Sequence, residues 1–323
     1  MRQPRGFWRR VIQVLPAVVV LAAGIALWQL VRAYRPELHD ARLTFAWGPL
    51  LIATVVWLAG YTQLVQMWAA SLKWWGSPPL KLRPALRIFF LANLARYIPG
   101  GVWQFAGLSA LAVTEGASPT AASMGVIFMQ IATLATGAAI TLSAAPRFIA
   151  PWTRGLGIIG QLVIACVLIA LLVVVLPRAL PHIRRWLEKR FKRPVPLPVP
   201  PPKEFAVFVV RAALGWVLYG IAFWMFSRAL LGEGAPTAWI AATAYVASYL
   251  VGLLVIFAPG GIVVREGTLV LCLQGAIGAR PALILAISSR LWLVAMELGA
   301  ALTMLVIDWI YKARRVKASA SRK

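Results

Sequence analysis

The chain has 323 residues, of which 61% are hydrophobic and only nine are acidic, and its formal net charge is +24. A mean hydropathy of +0.80 is far too high for a soluble globular protein, so the composition indicates a protein of the lipid bilayer. The excess of lysine and arginine does not indicate nucleic-acid binding, because these residues lie mostly at the ends of apolar segments, where anionic headgroups and the positive-inside rule place them.

Six apolar stretches are long enough to cross a bilayer as helices at about 1.5 Å per residue. The first follows a basic leader, but it is too long for a typical secretory signal and lacks a convincing cleavage site, so we expect it to be retained. The six stretches cover residues 11–32, 46–70, 119–144, 156–177, 205–231 and 281–310.

Two further apolar regions, 84–115 and 237–278, are each interrupted by the same motif, which reads PGG, five residues, then glycine. Proline and paired glycines end a helix, and an interrupted backbone at membrane depth requires protein or a water-filled cavity around its polar groups. The arms of the first region are too short to cross, which predicts a re-entrant helical hairpin; the first arm of the second region could cross alone. The two copies lie at Pro99, Gly100, Gly101 and Gly107, and at Pro259, Gly260, Gly261 and Gly267.

The distribution of basic residues predicts the topology. With a cytoplasmic N-terminus, the loop 71–83, the segment 178–204 and the C-terminal tail are all cytoplasmic, and each carries a cluster of lysine and arginine. The two hairpins then open on opposite faces, as in an inverted-topology repeat. The two motif copies are 160 residues apart, and the same offset aligns Gln130 with Arg290. Chance similarity between glycine-rich membrane sequences is the alternative.

We therefore predict an all-α polytopic membrane protein with about six full transmembrane helices and two PGG-broken re-entrant hairpins in an inverted repeat. A basic amphipathic helix on the anionic leaflet and a stiff proline-rich linker separate the two membrane halves. The predicted parts are a first half at 1–177 with the hairpin 84–115, the cytoplasmic segment 178–204, a second half at 205–311 with the hairpin 237–278, and a basic tail at 312–323.

Seven polar residues near the motifs and in the last span are candidates for a substrate-binding site, because polar and ionisable groups are costly at membrane depth. Arginines offer paired donors to a phosphate, and half-helices that begin after each PGG add N–H groups and positive dipole ends. Each arginine also has a purely structural alternative: pairing with a nearby glutamate, or, for the first, reaching back to the interface. The candidates are Arg96, Tyr97, Gln104, Arg265, Glu266, Arg290 and Glu297.

Signatures of catalysis are missing from the sequence. It contains no HExxH motif, no DxD run, no Walker loop and no GxSxG, and its two cysteines have no metal-binding or redox spacing. We therefore expect no enzyme activity, no cofactor and no metal, with any transport driven by a gradient, by coupling ions, or downhill.

The segment 93–103 resembles the RYxPGxxW signature of the lysylphosphatidylglycerol synthase transmembrane (flippase-like) family, and the segment 259–267 resembles that family's second signature, PGGxGxRE. The resemblance extends from about Leu43 to Trp309. Val263 departs from it, because a further small residue is expected at that position. In the bifunctional relatives a separate soluble domain makes the aminoacylated lipid, and we expect this chain to lack that domain.

The resemblance implies a stand-alone lipid translocase in a bacterial inner membrane, with both termini cytoplasmic. Its partner would be a lipid with an anionic or zwitterionic headgroup, and the substrate could be anionic, aminoacylated or polyprenyl-linked. One alternative is a non-catalytic accessory subunit that binds an envelope lipid or glycolipid synthase. A membrane transferase is a further alternative, but it would need an acidic metal-binding cluster, which nine scattered carboxylates do not supply.

Overall fold

The computed structural model describes residues 45–97, 102–149, 157–195, 200–254 and 263–320, together with the single residues 32, 197 and 261. Over these ranges the chain forms nine α-helices and no strand, which confirms the predicted all-α class. In chain order the helices are α1 (Trp47–Ser71), α2 (Leu82–Leu94), α3 (Trp103–Thr114), α4 (Pro119–Ile149), α5 (Ile158–Phe191), α6 (Pro202–Leu231), α7 (Ala238–Leu254), α8 (Val264–Ile277) and α9 (Ala279–Ala320).

Five of these helices, α1, α4, α5, α6 and α9, are long and apolar enough to cross a membrane. They correspond to five of the six predicted spans, while the span at 11–32 lies outside the described residues except for its last position. The boundary predicted at residue 177 is not a break, because α5 continues to Phe191 with Pro177 and Pro181 inside it. The predicted amphipathic helix after residue 178 is therefore the end of α5, where Leu180 still packs into the core.

The two PGG regions form pairs of short helices. The first hairpin consists of α2 and α3, with 13 and 12 residues, and the second consists of α7 and α8, with 17 and 14 residues. At about 1.5 Å per residue none of the four reaches the roughly 30 Å of a hydrocarbon core. Ser118, just after α3, donates its N–H to the Ser77 hydroxyl before α2 at 2.8 Å, so the first hairpin opens and closes at one face.

Helices α1 and α6, which precede the two hairpins, pack side by side and run in opposite directions. Ala46 at the start of α1 donates to the carbonyl of Ala229 near the end of α6 at 3.0 Å. At the other end, Lys73 after α1 forms an ion pair with Glu204 in the first turn of α6, at 2.9 Å. Because α1 leads into the first hairpin and α6 into the second, the two hairpins open on opposite faces.

The helix boundaries repeat with the offset seen in the sequence. Helices α1 and α2 end at residues 71 and 94, and α6 and α7 end at 231 and 254. Likewise, α4 begins at 119 and α9 at 279. Each pair of boundaries differs by 160, so the order and direction of the helices agree with the predicted inverted repeat, although each helix of the second half is longer than its counterpart.

Most of the predicted backbone break lies outside the described residues, namely Pro99, Gly100, Gly101, Pro259 and Gly260. Of the three described motif glycines, Gly261 has a positive φ outside the α-helices, whereas Gly107 lies inside α3 and Gly267 inside α8 and neither interrupts the backbone as predicted. The Gly267 N–H already donates to the Val263 carbonyl at 2.8 Å, which closes the first turn of α8. The break in the second copy therefore ends before this glycine.

Candidate functional site

The two hairpins converge on a cavity of about 70 Å³ that is lined by residues of all the described helices except α5. Arg96 in the 3₁₀ turn after α2 and Arg265 at the start of α8 both line it, so each hairpin contributes an arginine from the end next to its PGG motif. Glu297 of α9 adds a carboxylate, and Gln104 and Gln130 add amides. A polar cavity of this size holds a few water molecules.

Arg96 of the first hairpin forms an ion pair with a glutamate of α9. Its Nη1 lies 3.2 Å from Oε1 of Glu297, and the hydroxyl of Tyr97 donates to the other carboxylate oxygen at 3.0 Å. The Arg96 Nε also donates to the carbonyl of Asn93 at 3.1 Å. The alternative in which Arg96 reaches back to the interface is therefore wrong, because its guanidinium points into the protein and pairs with a buried acid.

Glu266 and Arg290 form a second, looser pair. Oε1 of Glu266 lies 3.7 Å from Nε of Arg290, and Oε2 accepts the backbone N–H of Val263 at 2.7 Å. The second contact is half of a capping box, because a valine side chain cannot return a hydrogen bond to the helix. Glu266 therefore fixes the start of α8 and neutralises Arg290, which is the structural alternative considered for this pair. The Arg290 guanidinium also lies 5.6 Å from the ring centroid of Tyr97.

Arg265 has no carboxylate within ion-pair distance among the described residues, although its side chain is buried with only 7% of its surface exposed. Its guanidinium carbon lies 5.0 Å from the ring centroid of Tyr245 and 5.7 Å from that of Tyr249. Both tyrosines lie on one face of α7, four residues apart, and both line the cavity. Cation–π contacts of this kind hold a desolvated arginine but supply no negative charge at ion-pair distance.

Two glycines let α7 approach the start of α8 and so fix the position of Arg265. A Cβ atom on Gly252 would lie 3.0 Å from the Cβ of Arg265. Gly261 has a φ of +67°, and a Cβ there would lie 2.7 Å from the carbonyl oxygen of Gly252. Gly261 was predicted from the motif, whereas Gly252 was not, because a single glycine in an apolar helix carries little signal until its neighbour is known.

The five charged candidate residues together have a net positive charge. Arg96, Arg265 and Arg290 supply three cations, and Glu266 and Glu297 supply two anions. The cavity wall also contains four tyrosines, which sequence reasoning did not single out: Tyr61, Tyr219, Tyr245 and Tyr249. A buried site with one excess positive charge and several N–H and O–H donors is suited to a group with one negative charge, such as a phosphodiester.

The candidate residues do not all share one surface. Four of the candidates line the cavity: Arg96, Gln104, Arg265 and Glu297. The other three do not line it: Tyr97 donates to Glu297, and Glu266 pairs with Arg290 and fixes the start of α8. Within the described ranges, no group of three or more His, Cys, Asp or Glu residues could hold a metal ion. By charge, the arginines suit an anion and the Glu297 carboxylate suits a cation.

Five membrane-length helices and two opposed re-entrant hairpins around a charged cavity define a multi-pass membrane protein. The model of a known family, described as the lysylphosphatidylglycerol synthase TM region, matches residues 17–301. The chain belongs to this family, which confirms the resemblance drawn from the two motifs and links the protein to membrane lipid metabolism or transport. A comparison with curated proteins finds no match.

Proposed function

We propose that the protein translocates a lipid with an anionic headgroup between the two leaflets, and that the headgroup passes through the cavity between the hairpins. The observation that carries this proposal is Arg265, a buried guanidinium that faces the cavity without a carboxylate partner among the described residues. Leaving a buried charge uncompensated is expensive, and polar groups inside membranes usually mark a substrate pathway. A headgroup phosphate would supply the missing negative charge.

The pair of Arg96 and Glu297 would act as the adjustable part of the site. Glu297 forms an ion pair with Arg96 and accepts a hydrogen bond from the Tyr97 hydroxyl. A phosphate that enters could take over the Arg96 donors, since an arginine fork matches two phosphate oxygens. Glu297 and the surrounding tyrosines would then be available to an ammonium group, so a zwitterionic headgroup could also be held.

The inverted repeat supplies a route for access from either side. Transporters with such repeats expose a site near the midplane alternately by rocking one repeat against the other. The cavity of about 70 Å³ is too small for a complete headgroup, so the hairpins must separate during each cycle. The chain carries no recognised nucleotide-binding motif, which is why we propose that movement is driven by a gradient or runs downhill.

The distribution of basic residues indicates how the protein is oriented in the membrane. The face at which α1 ends and α6 begins carries Lys73 and Lys203, and α5 ends in a run of lysine and arginine. By the positive-inside rule we propose that this face is the cytoplasmic face of a bacterial inner membrane, with both termini on the same side.

Aminoacylated and polyprenyl-linked lipids remain predicted substrates alongside simple anionic phospholipids.

The test is translocation by purified protein in liposomes that contain acyl-labelled phosphatidylglycerol or phosphatidylcholine. An impermeant reductant bleaches only outer-leaflet label unless the protein moves lipid. We expect wild type to expose the inner-leaflet phosphatidylglycerol label, and Arg265→Gln to slow this by about tenfold or more, because a charge-assisted contact contributes about 1.5–3 kcal/mol.

The matched control is Arg228→Gln, which removes an arginine from the surface pair with Glu233 at the far end of α6. This variant should transport like wild type. If the Arg265→Gln protein transports phosphatidylglycerol normally, or if wild type moves no lipid of the panel, the proposed site is wrong. In the second case the accessory-subunit alternative would be favoured.

A further inference from the structure

A further arginine lies at membrane depth, apart from Arg96, Arg265 and Arg290, and sequence reasoning did not identify it. Arg211 is the tenth residue of α6, about 13 Å along the helix from its start. It is half-buried against α1, where its Nε donates to Oε1 of Gln63 at 3.2 Å and its Nη2 donates to Oε1 of Gln66 at 3.1 Å. An arginine in such a position is a candidate functional residue by default.

The hydrogen bonds of Arg211 are incomplete. Nη2 also donates to the carbonyl of Gln63 at 3.3 Å, but neither this carbonyl nor the two amides carry a negative charge. In the described part of the chain, Nη1 makes no hydrogen bond and no carboxylate forms an ion pair with the guanidinium. Among the described residues, the Nη1 donors of Arg211 are therefore left for a ligand.

Arg211 lines a groove of about 390 Å³ between α1 and α6. The groove extends from Arg211 to the basic end of the two helices, where Lys73, Lys203 and Glu204 line it. Apolar side chains form the remaining wall, among them Met67 and Val207. A groove with basic side chains at its mouth, an arginine within it and an apolar wall suits an amphipathic ligand with an anionic headgroup.

The charges of the groove favour an anion. Glu204 is already held by Lys73 at 2.9 Å and by the indole N–H of Trp74 at 2.8 Å. Lys203 has no ion pair among the described residues, and neither has Arg211, so these two side chains leave an excess charge of +2. Basic pockets between helices on the cytoplasmic side of membrane proteins attract anionic headgroups in this way.

The groove is separate from the central cavity, and no residue lines both. Tyr61 of α1 lines the cavity, whereas Gln63, two residues later and about 200° around the helix, binds the arginine of the groove. The helix pair α1 and α6 therefore presents one face to the hairpins and another to this site.

We infer that the groove between α1 and α6 binds one anionic phospholipid from the leaflet at the basic face. The headgroup phosphate accepts hydrogen bonds from the Arg211 Nη1 group, and Lys203 at the mouth of the groove adds electrostatic attraction for the anion. This inference does not depend on the proposed translocation.

The test is native mass spectrometry of the purified full chain in detergent, titrated with dioleoyl phosphatidylglycerol or dioleoyl phosphatidylcholine. Wild type should retain one phosphatidylglycerol molecule more tightly than phosphatidylcholine. Lys203→Gln, at an exposed position, should weaken this binding about fivefold, and Lys203→Gln with Arg211→Gln about 25-fold, following the typical contribution of a basic residue at a membrane surface. Arg211→Lys, which keeps the charge if the glutamine variant does not fold, should bind nearly as wild type.

The control pair Lys189→Gln with Arg190→Gln removes the same charge from the exposed end of α5 and should leave the binding unchanged. Arg265→Gln should slow translocation without releasing this lipid, which separates the groove from the cavity. The inference is overturned if the double groove variant binds like wild type, if the α5 control loses as much, or if Arg265→Gln alone removes the bound lipid.

Discussion

Val263 stands at a backbone position that favours glycine. Its φ and ψ are +74° and −48°, close to the rare, strained γ-turn region, and it is β-branched. A left-handed conformation costs an L-residue about 1–2 kcal/mol, and this valine replaces the small residue that the second family signature contains. We therefore expect Val263→Gly to stabilise the protein.

The size of the effect follows from three contributions. Glycine removes about 1–2 kcal/mol of strain, and its extra freedom in the unfolded chain returns about 0.4–1 kcal/mol. The valine side chain is 64% exposed, so little packing is lost. The net stabilisation is about 0.5–1 kcal/mol, which raises the unfolding midpoint by about 1–3 °C.

The assay is thermal unfolding in detergent at a fixed scan rate, since unfolding of such proteins is often irreversible. Val263→Ala is the matched control, because alanine loses the same exposed side chain but keeps the Cβ atom that causes the strain. The glycine variant should unfold at a higher temperature than both wild type and the alanine variant. If glycine and alanine give the same midpoint, the strain argument is refuted.

Two further predictions concern stability. Glu297→Gln should destabilise the protein by about 3–5 kcal/mol, because it leaves Arg96 buried without its carboxylate. Adding Arg96→Gln should recover part of this loss in the same unfolding assay. A double variant as unstable as the single one would contradict the pairing. Gly220→Ala should lower the free energy of unfolding by about 1–3 kcal/mol, because the new Cβ would lie 2.6 Å from that of Ala242. Gly267→Ala, whose Cβ would have no neighbour within 4 Å, should be neutral or slightly stabilising. Equal unfolding midpoints for the two variants would contradict the packing described at Gly220.

Much of the fold was predictable because its signals are local. Apolar length identified the five described spans, and the PGG motifs identified both hairpins to within a few residues of the observed ends. The boundary predicted at residue 177 does not coincide with a helix end, because Pro177 and Pro181 each remove one backbone hydrogen bond without ending α5.

The partners within the site could not be predicted, because they depend on which helix faces meet. The two motifs indicated the arginines, but Arg96 pairs with a carboxylate 201 positions later, and nothing local distinguishes that partner from Glu266. The pairing of Arg290 with Glu266 and the lack of a carboxylate at Arg265 emerge only when α7, α8 and α9 are packed together. The tyrosines around Arg265 were missed for the same reason.

The most direct test of the central claim is to locate the lipid headgroup during transport. Proteoliposomes would contain a phosphatidylglycerol analogue with a photoreactive headgroup, and labelled peptides would be mapped by mass spectrometry after illumination. We expect label on the cavity-lining residues of α2, α3 and α7, among them Gln104 and Tyr249, and we expect it to be lost in Arg265→Gln. Label that spares these helices in wild type, or that persists on them in Arg265→Gln, would contradict passage between the hairpins.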